Sequence, residues 1–78
     1  MFNQHDISEH MEVLGSDGQH VGTVDYVEGH NHIKLTKSDA RSGGRHHLIP
    51  MEWVARVDQQ VHLTKSSKDA MTQWKTAA

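Results

Sequence analysis

Residues 11–24 read MEVLGSDGQHVGTV and contain the clearest structural signal of the chain. Asp17-Gly18 separates two runs that are rich in valine, and an Asp-Gly pair supplies the positive φ that a tight hairpin turn needs. Gly22 lacks a Cβ atom and so permits a bulge or a close backbone approach in the second run. These residues predict an antiparallel hairpin with strands at 12–14 and 20–27.

Four further β-like segments follow the hairpin at near-even spacing. In the segment 32–37, Ile33 and Leu35 alternate with polar residues, which is typical of a half-buried strand. Pro50 cannot donate a ladder hydrogen bond, so the strand that precedes it ends there, and Trp53-Val54 forms a corner that closes one end of the fold. The strands predicted after the hairpin are 32–37, 46–50, 55–58 and 60–64.

Six short strands separated by turns predict an all-β chain, folded as a small antiparallel β-barrel with a short C-terminal helix. The apolar residues expected in the core are Ile33, Leu35, Ile49, Val54, Val57, Val61 and Leu63. Lys34, Thr36 and His62 alternate with them and are expected to be exposed, because successive side chains of a strand point to opposite faces.

The C-terminal segment has a helical pattern. Ser66 is a candidate N-cap with Asp69 three residues later, and Ala70, Met71 and Trp74 follow at helical spacing. The pattern predicts a helix over 68–75. A helix this short does not persist alone, so its apolar stripe needs a docking surface on its own barrel or on a second subunit.

Length and composition limit the remaining interpretations. The chain of 78 residues predicts one domain, 1–78, with the barrel at about 7–64 and the helical tail at about 66–76. It contains no cysteine and its net charge is −2. No apolar run approaches the ~20 residues of a membrane span, and the N-terminus has no secretory pattern. We therefore expect a cytoplasmic protein without a membrane partner or a cofactor.

A wider pattern of residues carries a family resemblance. It consists of Asp17-Gly18-x-x-Val21-Gly22-x-Val24, an Ile-x-Leu strand at Ile33 and Leu35, Ile49-Pro50-x-x-Trp53-Val54, Val57, and Val61-x-Leu63. This order and spacing resembles the PRC-barrel fold. More narrowly, Ile7 to Leu63 resembles the small bacterial proteins grouped as domain of unknown function 2171. The resemblance implies a scaffold or adaptor fold, and it implies no catalytic residue.

Histidine is unusually abundant, with eight residues in the chain. His30 and His32 project from one face if they share a strand, and His46-His47 follows across a glycine-containing loop. Convergent imidazoles are ligands for Zn²⁺, although adjacent His46 and His47 point to opposite faces of a strand. A histidine-based metal-binding or pH-responsive module is therefore the alternative functional hypothesis, since unperturbed histidine titrates near pH ~6.5.

Nucleic-acid binding and catalysis receive less support from the sequence. The basic residues do not form the stripe that phosphate binding needs, and Asp39 and Asp69 interrupt them. These basic residues are Lys34, Lys37, Arg41, Arg45, Lys65 and Lys68. The chain has no nucleophile motif and no Gly-rich phosphate loop, so we expect no enzyme.

The preferred functional hypothesis is a non-enzymatic interaction module. A small chain with few aliphatic residues leaves apolar surface without an obvious cover within the chain. Met71 and Trp74 are the predicted interface anchors, because tryptophan is enriched at interface hot spots. The expected partner is a second copy, forming a dimer, or another protein.

Overall fold

The computed structural model describes residues 4–77, which contain seven β-strands and one α-helix. The strands are β1 (Glu12–Leu14), β2 (His20–Glu28), β3 (His32–Leu35), β4 (His46–Pro50), β5 (Val54–Val57), β6 (Val61–Leu63) and β7 (Lys75–Ala77). The helix α1 is Ser67–Gln73, and short 3-10 helices occur at Gln4–Asp6, Ala40–Ser42 and Met51–Trp53. The prediction of a β-rich chain with one short helix is confirmed.

The strands form one sheet in the order β5-β6-β1-β2-β3-β4-β7. Neighbouring strands are antiparallel except for β1 and β6, which pair in parallel through Val13 and Val61. Within residues 4–77 no ladder joins β5 to β7, so the sheet is open at both edges. The prediction of a closed barrel is therefore not supported, and the resemblance to the PRC-barrel fold is not confirmed.

The core lies on the inner face of this sheet. Its buried apolar residues are Ile7, Val13, Val21, Val24, Ile33, Leu35, Ile49, Val54, Val61, Leu63 and Ala70. Six of the seven predicted core residues belong to this set, and Val57 packs half-buried against it. Lys34, Thr36 and His62 are half-buried rather than exposed, because neighbouring strands flank them on the outer face.

The turn of the first hairpin contains the predicted glycine with a positive φ. Gly18 adopts φ 78°, which a glycine accepts without strain. The β1–β2 register shifts between Val13 and Leu14, where a bulge interrupts the ladder. A Cβ atom on Gly22 would lie 3.0 Å from Leu35 Cδ1, so the predicted close approach at Gly22 is also found.

The C-terminal segment packs on its own sheet. The Ser66 hydroxyl accepts a hydrogen bond from Asp69 N at 3.2 Å, which confirms the predicted N-cap. The helix ends before Trp74 instead of continuing to Lys75, and β7 then pairs antiparallel with β4. Lys75–Ala77 becomes a strand because the edge of β4 offers it hydrogen-bonding partners. Among residues 4–77 no helix has the length and apolarity to cross a membrane.

Candidate functional site

The predicted metal ligands occupy separate places in the β2–β3–β4 region. His32 pairs with Pro50, whereas His47 pairs with Leu35 at the other end of the β3–β4 ladder. His32 lies on the outer face, whereas the buried His47 lies on the inner face with Leu35, so their imidazoles point to opposite sides of the sheet. His30 lies exposed in the turn before β3. The register thus keeps the two histidine pairs apart.

His46 and His47 point to opposite faces of β4, as predicted. His46 is half-buried on the outer face, with Nδ1 3.2 Å from the carbonyl oxygen of Leu35 and 3.7 Å from a carboxylate oxygen of Asp25. His47 is buried, and its Nε2 lies 2.7 Å from the carbonyl oxygen of Ser42. A carbonyl oxygen accepts only, so Nε2 of His47 carries the proton.

Trp74 lies against His47 of the same chain. The two rings stack with centroids 3.8 Å apart and planes 10° from parallel. Trp74 is half-buried against the core, and Met71 is half-buried on α1. Trp74 therefore helps to hold the tail on its own sheet, and the role of Met71 and Trp74 in an interface stays a prediction.

A polar cluster that the sequence did not suggest lies at the start of β2. The His20 ring is flanked by two carboxylates, with Nδ1 2.8 Å from Glu12 Oε2 and Nε2 2.6 Å from Asp39 Oδ2. Thr23 donates its hydroxyl proton to Asp39 at 2.7 Å, and Gln60 donates to the other oxygen of Glu12 at 2.9 Å. We call Glu12, His20 and Asp39 the His20 clasp.

The clasp favours the charged form of all three groups. Burial works against a charged His20, but the hydrogen bonds to Glu12 and Asp39 outweigh it and raise the pKa of the imidazole above its ordinary value. Hydrogen bonds from His20 and Gln60 lower the pKa of Glu12. Burial opposes ionisation of Asp39, yet its hydrogen bonds lower the pKa of that carboxyl as well. With both carboxylates ionised, each ring nitrogen donates only if His20 is an imidazolium.

The geometry of the His20 clasp suits a structural role, in which it holds neighbouring segments together, better than metal binding or catalysis. The imidazole separates the two carboxylates, so the three groups do not converge on one point as metal ligands must. Thr23 donates its hydroxyl proton to Asp39, but the lowered pKa of this carboxyl makes it a weak base for activating the hydroxyl oxygen. The clasp instead joins β1, β2, the loop 36–45 and the turn after β5 through short charge-assisted hydrogen bonds.

The outer face of β2, β3, β4 and β7 carries an exposed tyrosine. Within residues 5–76, Tyr26 is the only large hydrophobic side chain in the exposed class, at 45%. Tyr26 of β2 pairs with Lys34 of β3. Lys34 in turn pairs with Leu48 of β4, and Leu48 pairs with Lys75 of β7. Paired residues share one side of a sheet, so these four form a continuous row. We call this row the tyrosine face.

The tyrosine face has polar and apolar neighbours. The Lys34 ammonium lies over the Tyr26 ring, 5.2 Å from its centroid. In the next row His32 pairs with both Glu28 and Pro50. A shallow groove of about 320 Å³ continues from this row and is lined by Asn31, His32, Pro50, Met51 and Glu52. The surface thus combines exposed apolar area with charges of both signs.

The outer face of β5 and β6 differs from the tyrosine face in that its charged side chains pair with one another. Asp58 accepts hydrogen bonds from His62 at 2.9 Å and from Arg56 at 3.1 Å, so the charges there are paired within the chain. The β5–β6 register shifts between Val54 and Arg56, which indicates a bulge in this edge strand. Bulges and charged residues protect sheet edges from pairing with other chains.

The sequence contained only weak signals for the His20 clasp and the tyrosine face. Glu12, His20 and Asp39 are separated by 8 and 19 residues, so their meeting depends on the strand order. The tyrosine face follows from register, and Tyr26 is preceded by a register shift that no sequence pattern located. The one usable signal was Asp39 before Ala40–Ser42, a position that favours a capping carboxylate.

The comparisons with known proteins agree with the narrower of the two resemblances. No curated protein matches the chain. The model of the domain of unknown function 2171 family, described as uncharacterized proteins conserved in bacteria, matches residues 7–71. This match covers β1 to β6 and most of α1, and it includes the His20 clasp, Tyr26 and Leu48. The chain belongs to the bacterial family of domain of unknown function 2171.

Proposed function

We propose that this protein is a small non-enzymatic interaction module that self-associates through the tyrosine face. The observation that carries the proposal is the exposure of Tyr26, at 45%, within a row that also presents Leu48. Tyrosine supplies a large contact area with few rotatable bonds, and it is enriched at protein interfaces. The other large apolar side chains of residues 5–76 are buried or half-buried.

The charges of this surface favour a second copy as the occupant. Lys34 and Lys75 lie in the tyrosine row, and Glu28 lies in the row beside it. A twofold axis that runs along and between the two rows places Glu28 of one copy opposite Tyr26 of the other, one strand away from Lys34, so opposite charges meet across the interface. Four strands give a face about 19 Å wide, which is small for an interface. We therefore expect a weak, reversible dimer.

Sedimentation equilibrium tests the dimer. We expect the average mass to rise above the 8.8 kDa of the monomer as the concentration increases from about 10 to about 500 μM, a range suited to a small interface. Tyr26→Thr keeps β propensity but removes the ring, and it should hold the mass at the monomer value.

Arg56→Thr is the matched control. It removes an exposed strand residue from the β5–β6 outer face, so self-association should be unchanged. A wild-type protein that stays monomeric across the range would refute the proposal. An equal loss of dimer in both variants would place the interface elsewhere.

The alternative of a pH-responsive histidine module has one observation in its favour, the His20 clasp. Its imidazole is held between two carboxylates and responds to pH above the ordinary histidine range. If the module responds to pH through His20, sedimentation at pH 6 and at pH 9 should give different dimer fractions for the wild type. The difference should vanish in His20→Gln. Equal fractions in the wild type at both pH values would remove this alternative.

A further inference from the structure

The loop 36–45 presents three cations on its surface. Lys37, Arg41 and Arg45 are all exposed. The ion pairs formed within residues 4–77 involve none of these three side chains. Their guanidinium and ammonium groups are therefore available to a ligand. We call Lys37, Arg41 and Arg45 the basic loop cluster.

The acidic residue within this segment does not neutralise the cluster. The side chain of Asp39 is only 6% exposed, and it turns away from the surface onto His20. The His20 imidazolium, which also contacts Glu12, offsets part of the charge of Asp39. The sequence shows Asp39 between the basic residues, but the fold removes it from their surface.

The loop backbone is held in place from inside. Ser42 is buried, and its hydroxyl lies 2.7 Å from the carbonyl oxygens of both Lys37 and Asp39. The buried His47 donates to the carbonyl oxygen of Ser42 at 2.7 Å. Asp39 Oδ1 accepts from the backbone of Arg41 at 2.8 Å. A loop fixed in this way loses little conformational freedom when it binds a ligand.

We propose that the basic loop cluster is a docking site for a short acidic peptide segment of a partner protein. Arginine presents a planar set of donors that matches a carboxylate with two parallel hydrogen bonds. Three cations within nine residues match two or three carboxylates of an extended segment. This site lies beyond the tyrosine face and does not depend on dimer formation.

The charge of the whole chain favours a short acidic segment over a nucleic acid. The chain has eight Lys and Arg against ten Asp and Glu, so outside the cluster acidic residues outnumber basic ones by two to one. Nucleic-acid affinity grows with the number of phosphates neutralised along the strand. A long polyanion would gain few cationic partners beyond these three, because acidic residues predominate in the rest of the chain.

Titration of ¹⁵N-labelled protein with hexaglutamate at low salt and neutral pH tests the proposal. We expect amide shifts concentrated at residues 37–45, with a dissociation constant in roughly the millimolar range that exposed ion pairs support. Arg41→Gln and Arg45→Gln should each weaken binding by about two- to fivefold. Arg56→Gln is the matched control, since this exposed arginine is paired with Asp58, and it should leave the affinity unchanged.

A second variant tests the role assigned to the His20 clasp. His20→Gln leaves the three cations in place but removes the positive charge beside Asp39. The uncompensated carboxylate should then repel hexaglutamate, which should bind less tightly at pH 7. Shifts spread evenly over the protein, or unchanged affinity in both arginine variants, would overturn the proposal. Tighter binding of a thymidine hexanucleotide to the same loop would overturn it in favour of a nucleic-acid site.

Discussion

Substitution of Asp39 by alanine removes a carboxylate that accepts three short hydrogen bonds. The carboxylate accepts hydrogen bonds from His20 at 2.6 Å, from Thr23 at 2.7 Å and from the backbone of Arg41 at 2.8 Å. One hydrogen bond to a charged group contributes about 1.5–3 kcal/mol to stability, and a buried donor without a partner adds a desolvation penalty. His20 remains 31% exposed and regains water, so the three contributions do not simply add.

We expect Asp39→Ala to lower the free energy of unfolding by about 2–4 kcal/mol. That is a large share of the ~4–12 kcal/mol typical of a chain of this length. Urea unfolding followed by tryptophan fluorescence measures it, because Trp53 and Trp74 both pack against the core. Asp39→Asn keeps the shape of the side chain and separates the loss of charge from the loss of volume.

Asp58→Ala is the control for this experiment. Asp58 also contacts a histidine and an arginine, but its side chain is 47% exposed, so water compensates for the lost contacts. We expect a clearly smaller loss of stability than in Asp39→Ala. Equal losses in the two variants would show that the His20 clasp is no stronger than an ordinary surface ion pair.

Three other outcomes follow from the packing. The pKa of His20 is raised in the folded state, so its contribution to the free energy of unfolding is complete below pH ~6.5 and is lost as the pH rises through the raised value. The difference in stability between wild type and His20→Gln, measured by urea unfolding, should therefore shrink from pH 6 to pH 9. Gly15→Ala should lower the thermal midpoint strongly, since its Cβ would overlap the backbone nitrogen of Ser67, and an unchanged midpoint would contradict this. Trp74→Ala should destabilise the monomer, because it exposes His47, but it should leave the sedimentation profile unchanged. Loss of the dimer in this variant would show that Trp74 is an interface anchor.

Local patterns predicted the parts of the fold that local chemistry determines. Asp17-Gly18 specifies a turn by itself, and alternation at Ile33 and Leu35 identifies the buried face of β3. The last strand, Lys75–Ala77, has no such pattern. It adopts a strand because it pairs with β4, and the helix ends before it at the extended Trp74. Sequence spacing continued the helix to Lys75 because the pairing partner lies far along the chain.

The candidate sites depended almost entirely on long-range contacts. His30, His32, His46 and His47 attracted attention because they are close in sequence, yet the β3–β4 register separates the two pairs. His20 has no histidine near it in sequence, yet it meets carboxylates from two other segments at short distances. Proximity along the chain was therefore a poor guide to which histidines share a site.

The parallel pairing of β1 with β6 also dictates an order of assembly. The β2–β3–β4 meander forms from segments that are close in sequence, whereas Val13 of β1 pairs with Val61 of β6, which lies far along the chain. Until β6 joins, β1 has a neighbour on one side only, and the core lacks Val61 and Leu63. Contacts between such distant segments slow folding, so the joining of β6 to β1 is the step expected to limit the rate. A chain that stops before residue 61 would leave one edge of β1 unpaired, and open strand edges promote aggregation.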